Sequence, residues 1–355
     1  MGAGLARSFD QGERRRLAGM AGGVGLLHVA GWGLLLAYGL GHPALLALGG
    51  LAYTFGLRHA FDADHISAID NTTRKLLQEG RRPVAVGFFF SLGHSTVVLL
   101  IAGAIGLTVK WVIDGVVHDG GMLRSIGGTV GTVVSGGFLI AIGVMNLLIL
   151  IDIVRMYRRM RSGRHDRDEV EHELATGGFM TRFFGRAFRV VEHSWQMYPV
   201  GLLFGLGFDT ASEVALLAIS AGAAAKGVPF LAVISLPLIF AAGMSLMDTA
   251  DGAFMAKAYS WAFTSPMRKI FYNLTMTSLS VAVALFVGGA EVAQVLIHAL
   301  DLRDGVFGAI ARFDVLGSAG YFIVAAFVMA WAVAFIFYKA RRMDERWSEQ
   351  VDKVA

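Results

Sequence analysis

The stretch Arg58-His59-Ala60-Phe61-Asp62-Ala63-Asp64-His65-Ile66 decides how this chain is to be read. It sets two histidines, two carboxylates and an arginine at the end of an apolar run, Ala44 to Phe55, that reads ALLALGGLAYTF. At membrane depth an Asp or Arg costs at least about 2.5–3.5 kcal/mol on insertion scales, so such residues mark function by default. Imidazole and carboxylate together suit a divalent transition metal of borderline softness. The expectation is a polytopic membrane protein that moves such an ion.

Composition agrees. The chain has 355 residues, 55% hydrophobic and 16% charged, and a mean hydropathy of +0.60. A soluble domain averages about 25% charged. The net charge of +4 does not point to nucleic acid, because the basic residues gather in the links between apolar runs, where membrane topology needs them. With no cysteine, disulfides, thiolate ligands and iron–sulfur chemistry are excluded.

The fold class read from the chain is all-α and polytopic. Eight apolar runs reach the roughly 20 residues that a spanning helix needs: about 20–40, 44–66, 84–108, 127–151, 197–220, 229–250, 270–297 and 317–338. They make one transmembrane domain over 1–355. Lys and Arg concentrate in the N-terminus, in 67–83, 152–196 and 251–269, and in the C-terminal tail. The opposite links hold only Lys110, Arg124, Lys226, Arg303 and Arg312. By the positive-inside rule both termini face the cytoplasm, which an even number of spans satisfies. The long link 152–196 holds His165 and His172 among acids and reads as a solvated cytoplasmic connector. His28, His42, His118, His193 and His298 lie at or near span ends and are expected to have local roles.

Two pieces of the chain echo each other in order. Phe55-Gly56-Leu57 with Phe61-Asp62 matches Phe204-Gly205-Leu206 with Phe208-Asp209. Phe90-x-x-Gly93-His94-Ser95 matches Phe240-x-x-Gly243-Met244-Ser245. The charge count runs the two units in opposite directions, an inverted repeat of the kind that secondary transporters use.

The polar residues of these segments carry the chemistry. At about 100° per residue, Arg58, His59, Asp62 and His65 share one helix face and Asp64 falls away from it. One unbroken helix therefore cannot aim both histidines and both aspartates at one ion. Either Asp64 braces a ligand, or the helix is irregular here. His94 lies near mid-membrane on the next span, as a ligand or a ligand's support, and Gly93 beside it permits close helix approach. Asp209 and Glu213, one turn apart, repel unless a cation or a proton lies between them. Asp248 and Asp251 read as an exit vestibule. There is no G-x-x-x-x-G-K-[ST] phosphate loop and no H-E-x-x-H pair, so ATP use and zinc-protease chemistry are not expected.

With its H-x4-D-H core at His59, Asp64 and His65, RHAFDADHI resembles the signature of the NiCoT family of nickel/cobalt permeases. FFFSLGHSTVV (88–98), LGFDTASE (206–213) and GMSLMDTADG (243–252) resemble that family's other polar motifs, in the same order. The resemblance implies an eight-helix permease with cytoplasmic termini in a bacterial inner membrane, taking up Ni²⁺ or Co²⁺ with high affinity. It implies metal recognition by His59, Asp62, Asp64 and His65, with His94. Arg58, Ser95, Asp209, Thr210, Glu213, Asp248 and Asp251 are expected to line the ion path or brace the ligands. The metal is then cargo, and no permanently bound cofactor is expected. The partners are the ion and the lipid bilayer. Efflux of the same metals stays open as an alternative, as does, more remotely, a membrane-embedded metalloenzyme.

Overall fold

The structure, a computed structural model, describes residues 10–40, 43–107, 122–161, 191–206, 211–262 and 266–300, together with 322–323, 325–330, 332–333 and 336. Among these residues the regular structure is helical, with no strand. The helices are α1 (Gln11–Gly39), α2 (Pro43–His59), α3 (Ala63–Gln78), α4 (Val86–Leu107), α5 (Met122–Arg161), α6 (Met197–Phe204), α7 (Ala211–Ala225), α8 (Phe230–Ala262) and α9 (Pro266–Ala299). A short 3₁₀ turn, Ser194–Gln196, leads into α6.

Among the described residues, four segments are long and apolar enough to cross a membrane: Gln11–Gly39, Val86–Ala104, Phe230–Ser260 and Leu274–Ile297. Thr132–Leu148 of α5 and Ala215–Ala225 of α7 are shorter apolar stretches. Large apolar side chains point outward along these helices, among them Leu26, Val29, Leu100, Phe254 and Phe286. Lipid tails suit such a surface and water does not.

α1 starts where Asp10 and Glu13 form a reciprocal capping box, each side chain accepting from the other's backbone N–H at 2.8 and 3.0 Å. This satisfies two of the orphan donors at a helix start. The apolar run follows after one charged turn.

The run read from sequence as one span over 44–66 is two helices, the irregular alternative of the sequence reading. α2 ends at His59, and the backbone turns through Ala60 and Phe61 before α3 starts at Ala63. Phe61 and Asp62 N–H donate to the carbonyls of Arg58 and His59, both at 2.9 Å, in tight turn bonds. Asp62 is the extended N-cap residue of α3. α3 then continues to Gln78 through what the charge count took for a cytoplasmic link, and buries Arg74 and Lys75. The run over 197–220 is likewise divided, between α6 and α7.

α8 is the central helix and packs against α1, α2, α3 and α4. Its contacts are made by backbone meeting backbone at glycines. A methyl group on Gly56 of α2 would collide with the carbonyl of Phe240, and one on Gly243 would press on the carbonyl of Tyr53. α4 and α6 meet in the same way: Gly201 lies against the carbonyl of Phe90, and Gly93 against that of Tyr198. In lipid, where apolar surface gains nothing by leaving water, such close approach is what holds helices together. A separate pair, α5 and α9, crosses where Gly136 and Gly288 face each other, and Ser135 there donates to Glu291.

Candidate metal site

The helix break positions the site. A capping Asp ordinarily accepts from the second or third N–H of its helix, a bond worth about 1 kcal/mol. Asp62 makes no such bond. Its carboxylate instead accepts from His59 Nδ1 at 2.8 Å, with both side chains buried. Asp64 takes the backbone role, accepting from His65 N–H at 2.9 Å. Asp64 is half-buried and stands at the positive end of α3, where a carboxylate is favoured.

His59 from the end of α2, His65 from the first turns of α3 and His94 from the middle of α4 converge. Their ring centroids lie 4.6, 4.8 and 4.9 Å apart. One ring nitrogen from each lies within 4.8 Å of the others. All three residues are buried.

A carboxylate stands at each imidazole. Asp62 holds His59, Asp248 of α8 meets His65 Nδ1 at 3.1 Å, and Glu213 of α7 meets His94 Nε2 at 3.1 Å. With the Nδ1 atoms of His59 and His65 so engaged, their Nε2 atoms are the ones left to face the centre. This is the carboxylate–histidine arrangement that fixes tautomer and ring direction at metal sites. The Nε2 of His65 has no hydrogen-bond partner, and Asp248 Oδ1 also has none. His59 Nε2 and His94 Nε2 are 2.9 Å apart, so one of them carries the hydrogen between them. Phe90 meets the His65 ring edge-on at 4.7 Å between centroids, and Phe240 lies 5.4 Å from His59. These apolar walls keep the local dielectric low, so charges inside act strongly on each other.

The site thus gathers His59, Asp62, His65, His94, Glu213 and Asp248. Asp64 stands at its edge, with its carboxylate on the backbone. Ser95 is buried next to His94, and its hydroxyl has no hydrogen-bond partner. Arg58 is half-buried at the end of α2. Asp251 lies nearly one turn beyond Asp248 on α8. Asp209 and Thr210 lie outside the described residues. Sequence reasoning paired Glu213 with Asp209 and left its bond to His94 unseen. No spacing in the chain connects positions 94 and 213. The one available signal was that each was an ionisable residue stranded in an apolar helix.

An all-helical, apolar domain with three buried histidines and three carboxylates at one point is the build of a membrane protein that handles a cation. Comparison with known proteins sharpens the class. Residues 45–337 match the family described as High-affinity nickel-transport protein. The chain is 48% identical over 325 residues to "Nickel transporter NixA" of Staphylococcus aureus, covering 91% of this chain and 94% of that one. It is 46% identical to "Nickel transporter NicT" of Mycobacterium tuberculosis over 99% of this chain and 96% of that protein. To "Cobalt transport protein NhlF" of Rhodococcus rhodochrous it is 44% identical, over 94% and 95% of the two chains. No solved structure matches. The chain belongs to the high-affinity nickel-transport family, whose members are multi-pass membrane transporters of nickel or cobalt and not enzymes.

Proposed function

We propose that this protein takes up Ni²⁺ or Co²⁺ across a bacterial inner membrane by alternating access around the histidine cluster. The observation that carries the reading is the convergence of His59, His65 and His94 with a carboxylate at each ring. Metal–imidazole bonds are about 2.0–2.1 Å long, so nitrogens on one ion stand roughly 3 Å apart; His59 Nε2 and His94 Nε2 already do, at 2.9 Å. A metal at both Nε2 atoms displaces the hydrogen between them: it leaves as a proton where His94 starts as an imidazolium paired with Glu213, and otherwise moves to His94 Nδ1. Asp62 orients His59 and offsets the charge of the ion, and Asp64 supports the first turn of α3. Asp209 and Thr210 complete the ion path from the α6–α7 side, and Asp248 and Asp251 continue it.

The finer architecture is part of the same proposal: eight spanning helices, both termini cytoplasmic, and an inverted repeat relating α2–α4 to α6–α8. Three features support the repeat. Y-x-x-G occurs at 53–56 and 198–201, and F-x-x-G at 90–93 and 240–243. Each Y-x-x-G helix packs on the F-x-x-G helix of the other unit through its glycine. Both units break after the Y-x-x-G helix. This packing favours a register that aligns Gly56 with Gly201, and not the Phe-Gly-Leu match of Gly56 with Gly205.

The chain needs no ATP for such uptake. A membrane potential, negative inside, favours a divalent cation by about 4.6 kcal/mol per 100 mV, a factor of roughly a thousand or more in concentration. The test is uptake of radioactive nickel by cells expressing the chain, in competition with Co²⁺, Zn²⁺ and Mn²⁺. Accumulation blocked by Co²⁺ and spared by Mn²⁺ is expected. Net loss of preloaded nickel would identify an efflux protein instead.

A further inference from the structure

α3 carries His65 in its first turn and then runs on through Ser67, Asp70, Asn71, Thr72, Thr73, Arg74 and Lys75, all of them buried. Such a polar helix has no reason to leave water unless its groups are satisfied inside. Most of its charge is gathered at one point. The Asp70 carboxylate accepts from Arg74 Nη2 at 3.1 and 3.3 Å, and also from the hydroxyls of Tyr259 and Ser280. Arg74 donates in addition to Tyr259 at 2.6 Å, to Thr277 at 3.3 Å and to Ser280. Its guanidinium lies 4.5 Å over the Tyr259 ring. Tyr259 belongs to α8, and Thr277 and Ser280 to α9, so one knot of bonds ties three helices together.

The knot lies further along the two helices that hold His65 and Asp248. His65 is bonded to Asp248 of α8. Asp70 lies five residues further along α3, and Tyr259 eleven further along α8. Asp251 lies between these two ties along α8, near enough to Asp70 and Asp248 for their charges to act on it. Its Oδ2 is buried without a hydrogen-bond partner. An unsatisfied carboxylate oxygen between a metal site and an ion pair is a place where a passing cation gains contacts. A static brace would be built more cheaply from apolar side chains, since a buried ion pair is a poor source of stability. Such pairs are better suited to a joint that has two settings, because removing one charge leaves the other exposed to competition.

We propose that Asp70, Arg74, Tyr259 and Ser280 form the inner gate of the transporter, and that the cation opens it by drawing Asp70 away from Arg74. A divalent ion leaving His65 and Asp248 passes Asp251, competes for the Asp70 carboxylate and releases α3 from α8 and α9. With the ion gone, Arg74 recovers Asp70 and the path closes. This rests on the uptake reading and adds the residues that govern release.

The absence of cysteine permits a clean test. Ser245 is buried on α8, nearly one turn before Asp248, and its hydroxyl has no hydrogen-bond partner, so Ser245→Cys is a mild single-cysteine reporter. Inside-out vesicles are treated with a membrane-impermeant thiol reagent, with and without Ni²⁺, and nickel binding to the purified full chain is measured by calorimetry. The expected result is slow labelling without metal and labelling at least fivefold faster at saturating Ni²⁺. Asp70→Asn and Tyr259→Phe, each in the reporter background, should label at the fast rate without metal while binding nickel within threefold of the parent. If Asp70→Asn does not fold, Tyr259→Phe, which removes one hydroxyl, decides alone. Labelling at the parent's rate in a variant that folds overturns the gate, whether or not nickel still binds. Failure of the reporter parent itself to bind nickel overturns the metal site, which is a separate result.

Discussion

Asp62 is the residue on which the site turns. It ends one helix's reach, starts the next and forgoes the usual cap so that its carboxylate can hold His59. A bond from a neutral or charged imidazole to a buried carboxylate is worth about 1.5–3 kcal/mol. Asp62→Asn keeps the shape and removes the charge that offsets a divalent ion. It should lower uptake at nanomolar nickel at least tenfold in a protein that still reaches the membrane. His65→Ala removes a proposed ligand and should abolish that uptake; normal uptake in His65→Ala at equal membrane levels would remove α3 from the mechanism. The ionisable residues of 58–66 were legible because charge in an apolar run has no bland explanation at that density. Which carboxylate serves which ring was not legible. Asp62 and Asp64 look alike in sequence, yet one is bonded to an imidazole and the other to a backbone N–H. Glu213 and Asp248 reach their histidines only through the packing of α7 and α8 on α3 and α4.

At the scale of elements, the decisive features are the broken helices and the glycine crossings. Hydropathy found the apolar runs, because apolar composition needs no context to be read. It ran the second span on to residue 66, past the end of α2, and the charge count took 67–83 for a cytoplasmic link. The reason is that burial of Asp70 and Arg74 depends on Tyr259, Thr277 and Ser280, which lie some 185 to 210 residues away in the chain. An Asp and an Arg four residues apart were the only local sign of the pair. The glycines were visible as letters and not as contacts. A test follows from Gly56, whose added methyl would strike the Phe240 carbonyl, against Gly50, where nothing lies within 4 Å. Overpacking of this kind costs about 1–3 kcal/mol or more. Gly56→Ala should lower the thermal midpoint of the purified protein and reduce uptake, and Gly50→Ala should do neither. Equal midpoints for the two variants would mean that α2 and α8 are not packed as described.

Among the described residues, helices with exposed apolar faces surround a small polar interior. α1 has a largely exposed apolar face, α5 and α9 cross, and α8 packs on four helices with the cluster beside it. The class and the cargo follow from this interior, in which imidazoles, carboxylates and no thiol meet in an apolar setting. The central claim is that the transported ion is held by the imidazoles of His59, His65 and His94. X-ray absorption at the nickel edge on the purified, nickel-loaded chain tests it most directly. The account predicts three imidazole nitrogens at about 2.0–2.1 Å with oxygen completing the shell. A shell of oxygen alone, with no imidazole scattering, would contradict it.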